Sequence, residues 1–278
     1  MLIEKYFGID CEIAQQLIGE TANMIHEKSG DNEFQSTMVF LFDEYAVLKM
    51  QNINVRNVAT QDNDLKHLER LSATLLGLQS KGVNLVPILA FQSDNGNGYI
   101  IQPRAKGAEL YDRCRVNEKG YVLARVKLLA DAPQRHFNKF VADAIAIIDA
   151  GIIVDFVGKD NFFYHSDVGF QFIDLNAHND YEYKLSETKP EGKQAVLYGC
   201  FLPCYYDSMP KYRNSVTKVL LELTDEERAN LITHNRTIFD KCRTALLFNG
   251  IAEEAIDDLI SQDCFIPQKG ELELIQNN

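Results

Sequence analysis

The sequence predicts an α+β protein of two lobes, a small strand-rich lobe over residues 1–103 and a helical lobe over residues 104–278. Short apolar runs separated by turn residues dominate the first third of the chain, whereas apolar residues at helical spacing dominate the remainder. The change of pattern follows the segment Gln102-Pro-Arg-Ala-Lys-Gly107. We therefore expect a junction near residue 103 and a cleft between the two lobes.

The first lobe begins with a helix over residues 10–28, which Asp10 is placed to cap. Two strands follow at 38–42 and 45–50, joined by a short turn at Asp43-Glu44. The clearest helix spans residues 62–80, with Gly82 just beyond its end where a left-handed residue is favoured. The pattern then predicts a strand at Asn84–Phe91, a turn at Ser93–Gly98 and a returning strand at Tyr99–Gln102.

The second lobe is predicted to be mainly helical. Its helices are expected at residues 121–130, 136–150, 193–206, 211–221, 224–249 and 251–262. Thr224, followed three residues later by Glu227, has the spacing of a capping box.

Composition limits the classes of partner. The net charge of −12 argues against nucleic-acid and anionic-membrane partners, because both need clustered Lys and Arg. No apolar run reaches the roughly 18 residues of a membrane-spanning helix, and the N-terminus does not resemble a secretory signal. The six cysteines are scattered, and the Cys200–Cys204 pair has no second pair to complete a zinc site. We expect the thiols to be reduced and the protein to be cytoplasmic. Delivery of the protein to another cell stays open.

The stretch from Gly151 to Asn176 carries the candidate chemistry. Its apolar runs alternate with polar loops, which places Asp155, Asn161 and Asp174 at the ends of short strands. Carboxylate and amide oxygens at such positions are the ligands that Mg²⁺ prefers. An ordinary β-hairpin with polar tips explains the same pattern without any metal.

Lys49 is a second candidate, since it interrupts the apolar strand between Leu48 and Met50. Strand alternation alone would make it an outward-facing lysine on a half-buried sheet. As its acidic partner we favour Glu69, twenty residues further on the leucine-rich helix, with Asp64 as the other candidate. An exposed helix Glu that only contacts solvent is the simpler interpretation of Glu69.

In this order the motifs resemble those of the protein kinase-like superfamily, which includes protein kinases and aminoglycoside and choline phosphotransferases. Val47-Leu-Lys49 is similar to the V-A-I-K strand, and Ile100-Ile-Gln102-Pro to the strand that enters the hinge. Asp155 and Asn161 resemble the catalytic loop, and Phe172-Ile-Asp174 resembles D-F-G. The resemblance covers residues 30–176 by motif and implies a bilobal protein kinase-like fold.

The sequence also departs from the family pattern. Asn161 lies six residues after Asp155, where the pattern has five, and Ile153-Val154 replaces the His-Arg pair. Gly158 could absorb the extra residue in a bulge, and Asp160 is an alternative carboxylate in the loop. There is no G-x-G-x-x-G, so Gly30 and Ser36 are the candidate phosphate contacts between the first strands.

The resemblance implies ATP and Mg²⁺ as cofactors and phosphoryl transfer as the reaction. Lys49 would hold the α- and β-phosphates with Glu69 as its partner, and Gln102 to Arg104 would offer backbone groups to adenine. Asp155 would accept a hydrogen bond from the substrate hydroxyl, while Asn161 and Asp174 would bind the metal. We favour a protein Ser/Thr hydroxyl as acceptor. A small-molecule hydroxyl kinase remains open, as does a non-catalytic pseudokinase that binds nucleotide or a protein partner.

Overall fold

The computed structural model of the chain describes residues 3–29, 38–51, 58–94, 97–109, 118–152, 154, 162–173, 196–197 and 219–260. The chain divides into two compact units, Met1–Ala105 and Lys106–Asn278. Strands and helices occur in both, so the predicted α+β class is confirmed.

The first unit contains a five-stranded antiparallel sheet and two helices. In chain order its elements are β1 (Ile3–Tyr6), α1 (Cys11–Ser29), β2 (Met38–Leu41), β3 (Tyr45–Gln51), α2 (Val58–Ser80), β4 (Ala90–Asp94) and β5 (Asn97–Pro103). The strands are arranged in the order β1-β4-β5-β3-β2.

Helix α1 packs on one face of this sheet. Its apolar residues Ala14, Leu17 and Ile18 join a buried cluster with Phe40, Val47, Ala90 and Ile101 from four of the strands. The four strand residues share one sheet face because cross-strand partners in an antiparallel pair lie side by side. As the sequence predicts, Asp10 caps the helix: its Oδ1 accepts a hydrogen bond from the Glu12 amide at 2.8 Å.

Helix α2 begins four residues before its predicted start and ends at its predicted last residue, Ser80. Its leucine face is buried through Leu71, Leu75 and Leu78, which are 6%, 1% and 8% exposed. Gly82 follows with φ of +87°, the left-handed conformation expected of a residue just past a helix.

One strand prediction in this unit needs correction, and one strand was missed. Residues 85–91 of the predicted strand Asn84–Phe91 are buried, but the ladder begins only at Ala90, because Pro87 has no amide hydrogen to donate and the run instead connects α2 to β4. Strand β1 was not predicted. It pairs antiparallel with β4, from Ile3 opposite Ser93 to Tyr6 opposite Ala90.

The second unit combines helices with a small antiparallel sheet. Its elements are β6 (Ala108–Glu109), α3 (Lys119–Asp131), α4 (Gln134–Asp149), β7 (Phe162–His165), β8 (Gly169–Phe172), α5 (Asp225–Phe248) and α6 (Glu253–Ile260). The strands are arranged in the order β6-β7-β8. The predicted helices at 193–206 and 211–221 lie largely outside the described residues.

Helix α5 links the helices of this unit. Its predicted capping box is present: the Thr224 hydroxyl accepts from the Glu227 amide and the Glu227 carboxylate accepts from the Thr224 amide. Further along, the Lys241 ammonium donates to the carbonyls of Ala130 and Ala132, at the end of α3. These bonds satisfy carbonyls that the end of a helix leaves without intrahelical partners.

Candidate functional site

The predicted site residues are divided between described and undescribed parts of the chain. Lys49, Glu69, Gln102 and Arg104 lie in the described part of the first unit. Outside the described residues lie Gly30 and Ser36 as well as the three residues assigned to catalysis and metal binding, Asp155, Asn161 and Asp174.

The β7–β8 hairpin lies between two of the predicted site residues in the sequence, Asn161 and Asp174. Phe162 pairs directly with Phe172 at the open end of the hairpin, and His165 pairs with Gly169 at its turn. Asn161 immediately precedes Phe162, and Asp174 lies two residues after Phe172 in the sequence. Paired residues of an antiparallel ladder have Cα atoms about 4.5–5.5 Å apart. The hairpin thus brings the chain leading to Asn161 close to the chain leading to Asp174.

The open end of the hairpin is packed on helix α4 through aromatic rings. The Phe140 ring stacks on that of Phe172, with centroids 5.2 Å apart and an angle of 7° between the planes. Phe140 also meets Phe162 edge-on at 5.7 Å, and Phe162 meets Phe172 edge-on at 5.3 Å. All three side chains are buried, so this end of the hairpin is held by a closely packed apolar cluster.

The turn end of the hairpin contacts α4 through a polar pair. Nδ1 of the buried His136 lies 3.2 Å from the hydroxyl of the buried Tyr164, within hydrogen-bonding distance. Burial, and secondarily the charge of Arg135, lower the pKa of His136, and burial raises the pKa of Tyr164. Gly169, with φ of +83°, lies against the imidazole, where an added Cβ would be 3.3 Å from Cγ of His136. Both groups are thus kept neutral at pH 7 and in close contact.

The chain that leads to Asp155 is anchored in the same unit. Ile152 and Val154 are 5% and 6% exposed, and the Ile152 amide donates to the carbonyl of Ile147 near the end of α4. The residue that precedes Asp155 is therefore fixed by burial of its side chain.

Lys49 lies on the face of the first sheet that α1 covers. The cross-strand pairs place Lys49 in one row with Tyr99 on β5 and Met38 on β2. Both neighbours pack against the buried α1 cluster, and the Lys49 side chain is half-buried beside them. Alternation puts Leu48, and in register with it Lys5 on β1, on the opposite face.

The predicted pairing of Lys49 with Glu69 is corrected by this geometry. Oε1 of Glu69 lies 2.6 Å from Nζ of Lys5, on the sheet face opposite to that of Lys49. Because neighbouring strands are about 4.8 Å apart, β1 lies roughly 14 Å from β3, beyond the reach of one carboxylate. A separation of twenty residues in the sequence could not show on which face of the sheet the Glu69 carboxylate lies.

The predicted hinge contacts are also partly corrected. The Arg104 amide donates to the carbonyl of Glu44 at 2.8 Å, and its Nη1 donates to the carbonyl of Phe42 at 3.2 Å. These groups hold the β2–β3 turn, so the Arg104 amide is already bonded and is not available to adenine. Gln102 is buried and pairs with Ala46 in the sheet.

Two features of the site were missed in the sequence. The His136–Tyr164 pair joins residues 28 positions apart in the sequence. The one sequence signal for it is the four-residue spacing of His136 and Phe140, which places both side chains on the same face of a helix. Lys5 was missed because β1 was missed. Across the described ranges, no cluster of three or more His, Cys, Asp and Glu side chains could hold a metal ion.

Comparisons with known proteins found similar chains among solved structures alone. No family model and no curated protein matches the chain. Among solved structures, the bifunctional kinase-methyltransferase WbdD is similar at 14% identity and a TM-score of 0.37, over 85% of this chain and 49% of that one. The pseudokinase domain of BIR2, an immune regulator of the RLK/Pelle family, is similar at 12% identity and a TM-score of 0.39, over 92% of this chain and 79% of that one. The chain thus spans about half the length of the WbdD chain. Similarity at these TM-scores assigns no activity, so any function must be inferred from the residues of this chain alone.

Among the helices that the structure describes, none is long and apolar enough to cross a membrane.

Proposed function

We propose that this chain is a divergent kinase-like phosphotransferase that binds ATP with Mg²⁺ and transfers phosphate to a Ser or Thr hydroxyl of a protein. Asn161 and Asp174 would hold the metal, and Asp155 would accept the proton of the attacking hydroxyl. Lys49 would neutralise the α- and β-phosphates, without help from Glu69. Rate enhancement would come from positioning and charge neutralisation, since phosphoryl transfer needs little covalent chemistry from the protein.

The observation that carries this proposal is the register of the β7–β8 hairpin. Direct pairing of Phe162 with Phe172 supports a shared location for Asn161 and Asp174, an amide oxygen and a carboxylate at the open end of one hairpin. Magnesium is held in nucleotide sites by one or two such oxygens together with phosphate oxygens and waters. The stacking of the buried Phe140 ring of α4 on Phe172 supports a rigid hairpin. A metal with strict octahedral geometry requires ligands that are held rigidly.

The test is the thermal shift of the purified protein with ATP at a series of Mg²⁺ concentrations. We expect Mg-ATP to raise the melting temperature of the wild type, and Asp174→Asn and Asn161→Ala to abolish most of that rise. Asp167→Asn is the matched control, because Asp167 lies at the turn of the same hairpin with its side chain 83% exposed. Equal shifts in the wild type and Asp174→Asn would refute the metal assignment.

Transfer is measured separately with radiolabelled ATP and a set of protein and small-molecule acceptors. We expect Asp155→Ala to abolish transfer while Mg-ATP binding persists, because the base acts on the acceptor rather than on the nucleotide. Label on a protein acceptor, and none on aminoglycoside or choline-type alcohols, is the expected result. Label only on small alcohols would move the chain to the small-molecule class.

A nucleotide-binding protein without transfer activity is the second candidate. The bond between Glu69 and Lys5 favours it, since the carboxylate expected to orient Lys49 is occupied elsewhere. Mg-ATP binding that resists Asp155→Ala, together with absence of transfer to any acceptor including the chain itself, would establish this candidate in place of the enzyme.

A further inference from the structure

We propose that His136 and Tyr164 form a positioning pair, which holds the β7–β8 hairpin against α4 and thereby fixes the two strands that lead to the residues proposed to bind Mg²⁺. Neither residue would touch the metal or nucleotide. The inference rests on the proposed function for its metal, while the positioning of the hairpin itself can be measured without any ligand.

The contacts along α4 divide the hairpin into two supported ends. Phe140 supports the open end through its ring contacts with Phe162 and Phe172. One helical turn earlier, His136 supports the turn end through Tyr164 and through its contact with Gly169. Between the two ends, Phe170 contacts the rings of Phe137 and Phe140 at centroid distances of 5.1 and 4.7 Å, so the polar pair adds to apolar contacts that already hold the middle of the hairpin.

The hydrogen bond adds a narrower geometric constraint than the ring contacts. Aromatic pairs are favourable over centroid distances of about 4.5–7 Å and in several orientations, whereas a hydrogen bond weakens steeply with angle and distance. The Tyr164 ring lies 4.9 Å from Phe170, the residue with which it pairs across the hairpin. Fixing the Tyr164 hydroxyl therefore fixes both strands relative to α4.

The register transmits this constraint to the open end. Tyr164 lies two residues from Phe162, and Phe170 lies two residues from Phe172. A shift of the turn end by one residue would carry the opposite sheet face towards α4 and expose the aromatic cluster. The buried polar pair makes such a shift costly, because either polar group alone would be left without its partner in the core.

The experiment combines His136→Phe, Tyr164→Phe and the double variant in the full chain. Each single variant removes the same bond, so we expect each to raise the Mg²⁺ concentration for half-maximal ATP binding about fivefold. The double variant should show the same increase of about fivefold, not the roughly 25-fold product expected of independent effects. Its melting temperature should nevertheless exceed that of His136→Phe, because no buried hydroxyl is left unpaired.

In the double variant the melting temperature should partly recover while the Mg²⁺ requirement should not, and this difference distinguishes a positioning role from a role in stability. If the Mg²⁺ requirement merely followed stability, it would recover in the double variant together with the melting temperature, and the proposal would fail. Thr224→Ala is the matched control, since it weakens the N-cap of α5 without contact to the hairpin. It should lower the melting temperature and leave the Mg²⁺ requirement unchanged.

Hydrogen exchange of the amides of residues 162–172, measured without ligand, decides the matter independently of nucleotide binding. We expect faster exchange there in all three variants and unchanged exchange in Thr224→Ala. Unchanged exchange in His136→Phe overturns the positioning pair. If the wild type binds no Mg-ATP, the proposed function fails; faster exchange then leaves the pair a purely structural contact and overturns its link to the metal.

Discussion

At the scale of single residues, the ion pair between Lys5 and Glu69 gives Glu69 a partner other than Lys49, the partner predicted from the sequence. Both side chains are partly exposed, at 44% and 39%, so the pair contributes at most about 1 kcal/mol to folding. We expect Glu69→Ala to leave the affinity for Mg-ATP unchanged, whereas Lys49→Ala weakens it. Isothermal titration of both variants measures this difference. A loss in Glu69→Ala as large as that in Lys49→Ala would restore the original pairing.

His136 provides a prediction about pH. Its pKa lies below the ordinary value of 6.5 in the folded chain, because burial and the neighbouring Arg135 disfavour the charged ring beside Tyr164. The unfolded chain therefore binds this proton more readily than the folded chain, and the free energy of unfolding falls as the pH drops below 6.5. Urea unfolding across this window should show a steeper loss in the wild type than in His136→Phe. Parallel curves would contradict the assignment.

Residue features that depend on local geometry were predictable, and those that depend on register were not. Asp10, Gly82 and the Thr224 capping box act within one helical turn, so their roles follow from sequence spacing alone. The face on which Lys49 lies depends instead on cross-strand register and on which helix covers which side of the sheet. No spacing within the sequence encodes that choice.

At the scale of elements, the attachment of β6 to β7 depends on one glycine. Gly107 has φ of +103°, and an added Cβ would lie 2.2 Å from the carbonyl oxygen of Tyr164. We expect Gly107→Ala to lower the free energy of unfolding by about 1–3 kcal/mol through backbone strain and this clash. Gly120→Ala in α3 is the matched control, because nothing lies within 4 Å of its added Cβ. It should be neutral or stabilise by up to about 1 kcal/mol, the gain of Ala over Gly in a helix. Urea unfolding compares the two.

The capping box of α5 gives a second prediction at this scale. Thr224→Ala removes the hydroxyl that accepts from the Glu227 amide, so we expect a loss of about 1 kcal/mol in the free energy of unfolding. Glu227 also contacts Lys119 of α3, at 2.5 Å. Thr224→Ser, which keeps the acceptor, should retain the wild-type stability. Equal losses in Ala and Ser would show that the methyl group, not the hydroxyl, is responsible.

Helices were predicted more accurately than strands, for a physical reason. A helix of 16 residues such as α4 repeats its apolar pattern several times, and its start and end carry local signals. Strand β1 has only four residues, too few for alternation to be distinguished from chance. The buried run Asn84–Phe91 shows the opposite error, since burial alone made a connecting segment look like a strand.

At the scale of the whole molecule, each unit has its own core, but the sequence signal for function is unevenly distributed between them. The strand-rich first unit carries Lys49, and the second carries the hairpin that leads to Asn161 and Asp174. Composition placed the chain among ordinary globular proteins and motif order gave the family resemblance. Asn161 and Asp174, which we propose as the metal ligands, lie outside the described residues.

The net charge of −12 gives the last prediction, because it concerns the molecule as a whole. A polyanion binds tightly to a protein whose clustered Lys and Arg side chains displace its condensed counterions into solution. A protein with 40 acidic and 28 basic residues repels it overall. ATP differs, since Mg²⁺ offsets much of its charge and only a local site is needed. We therefore expect no change in the anisotropy of a fluorescent single-stranded oligonucleotide up to about 10 µM protein at low salt, within the range where non-specific binders respond. Under the same conditions Mg-ATP should still raise the melting temperature. Oligonucleotide binding that weakens steeply with added salt would reveal a basic surface that the overall charge conceals.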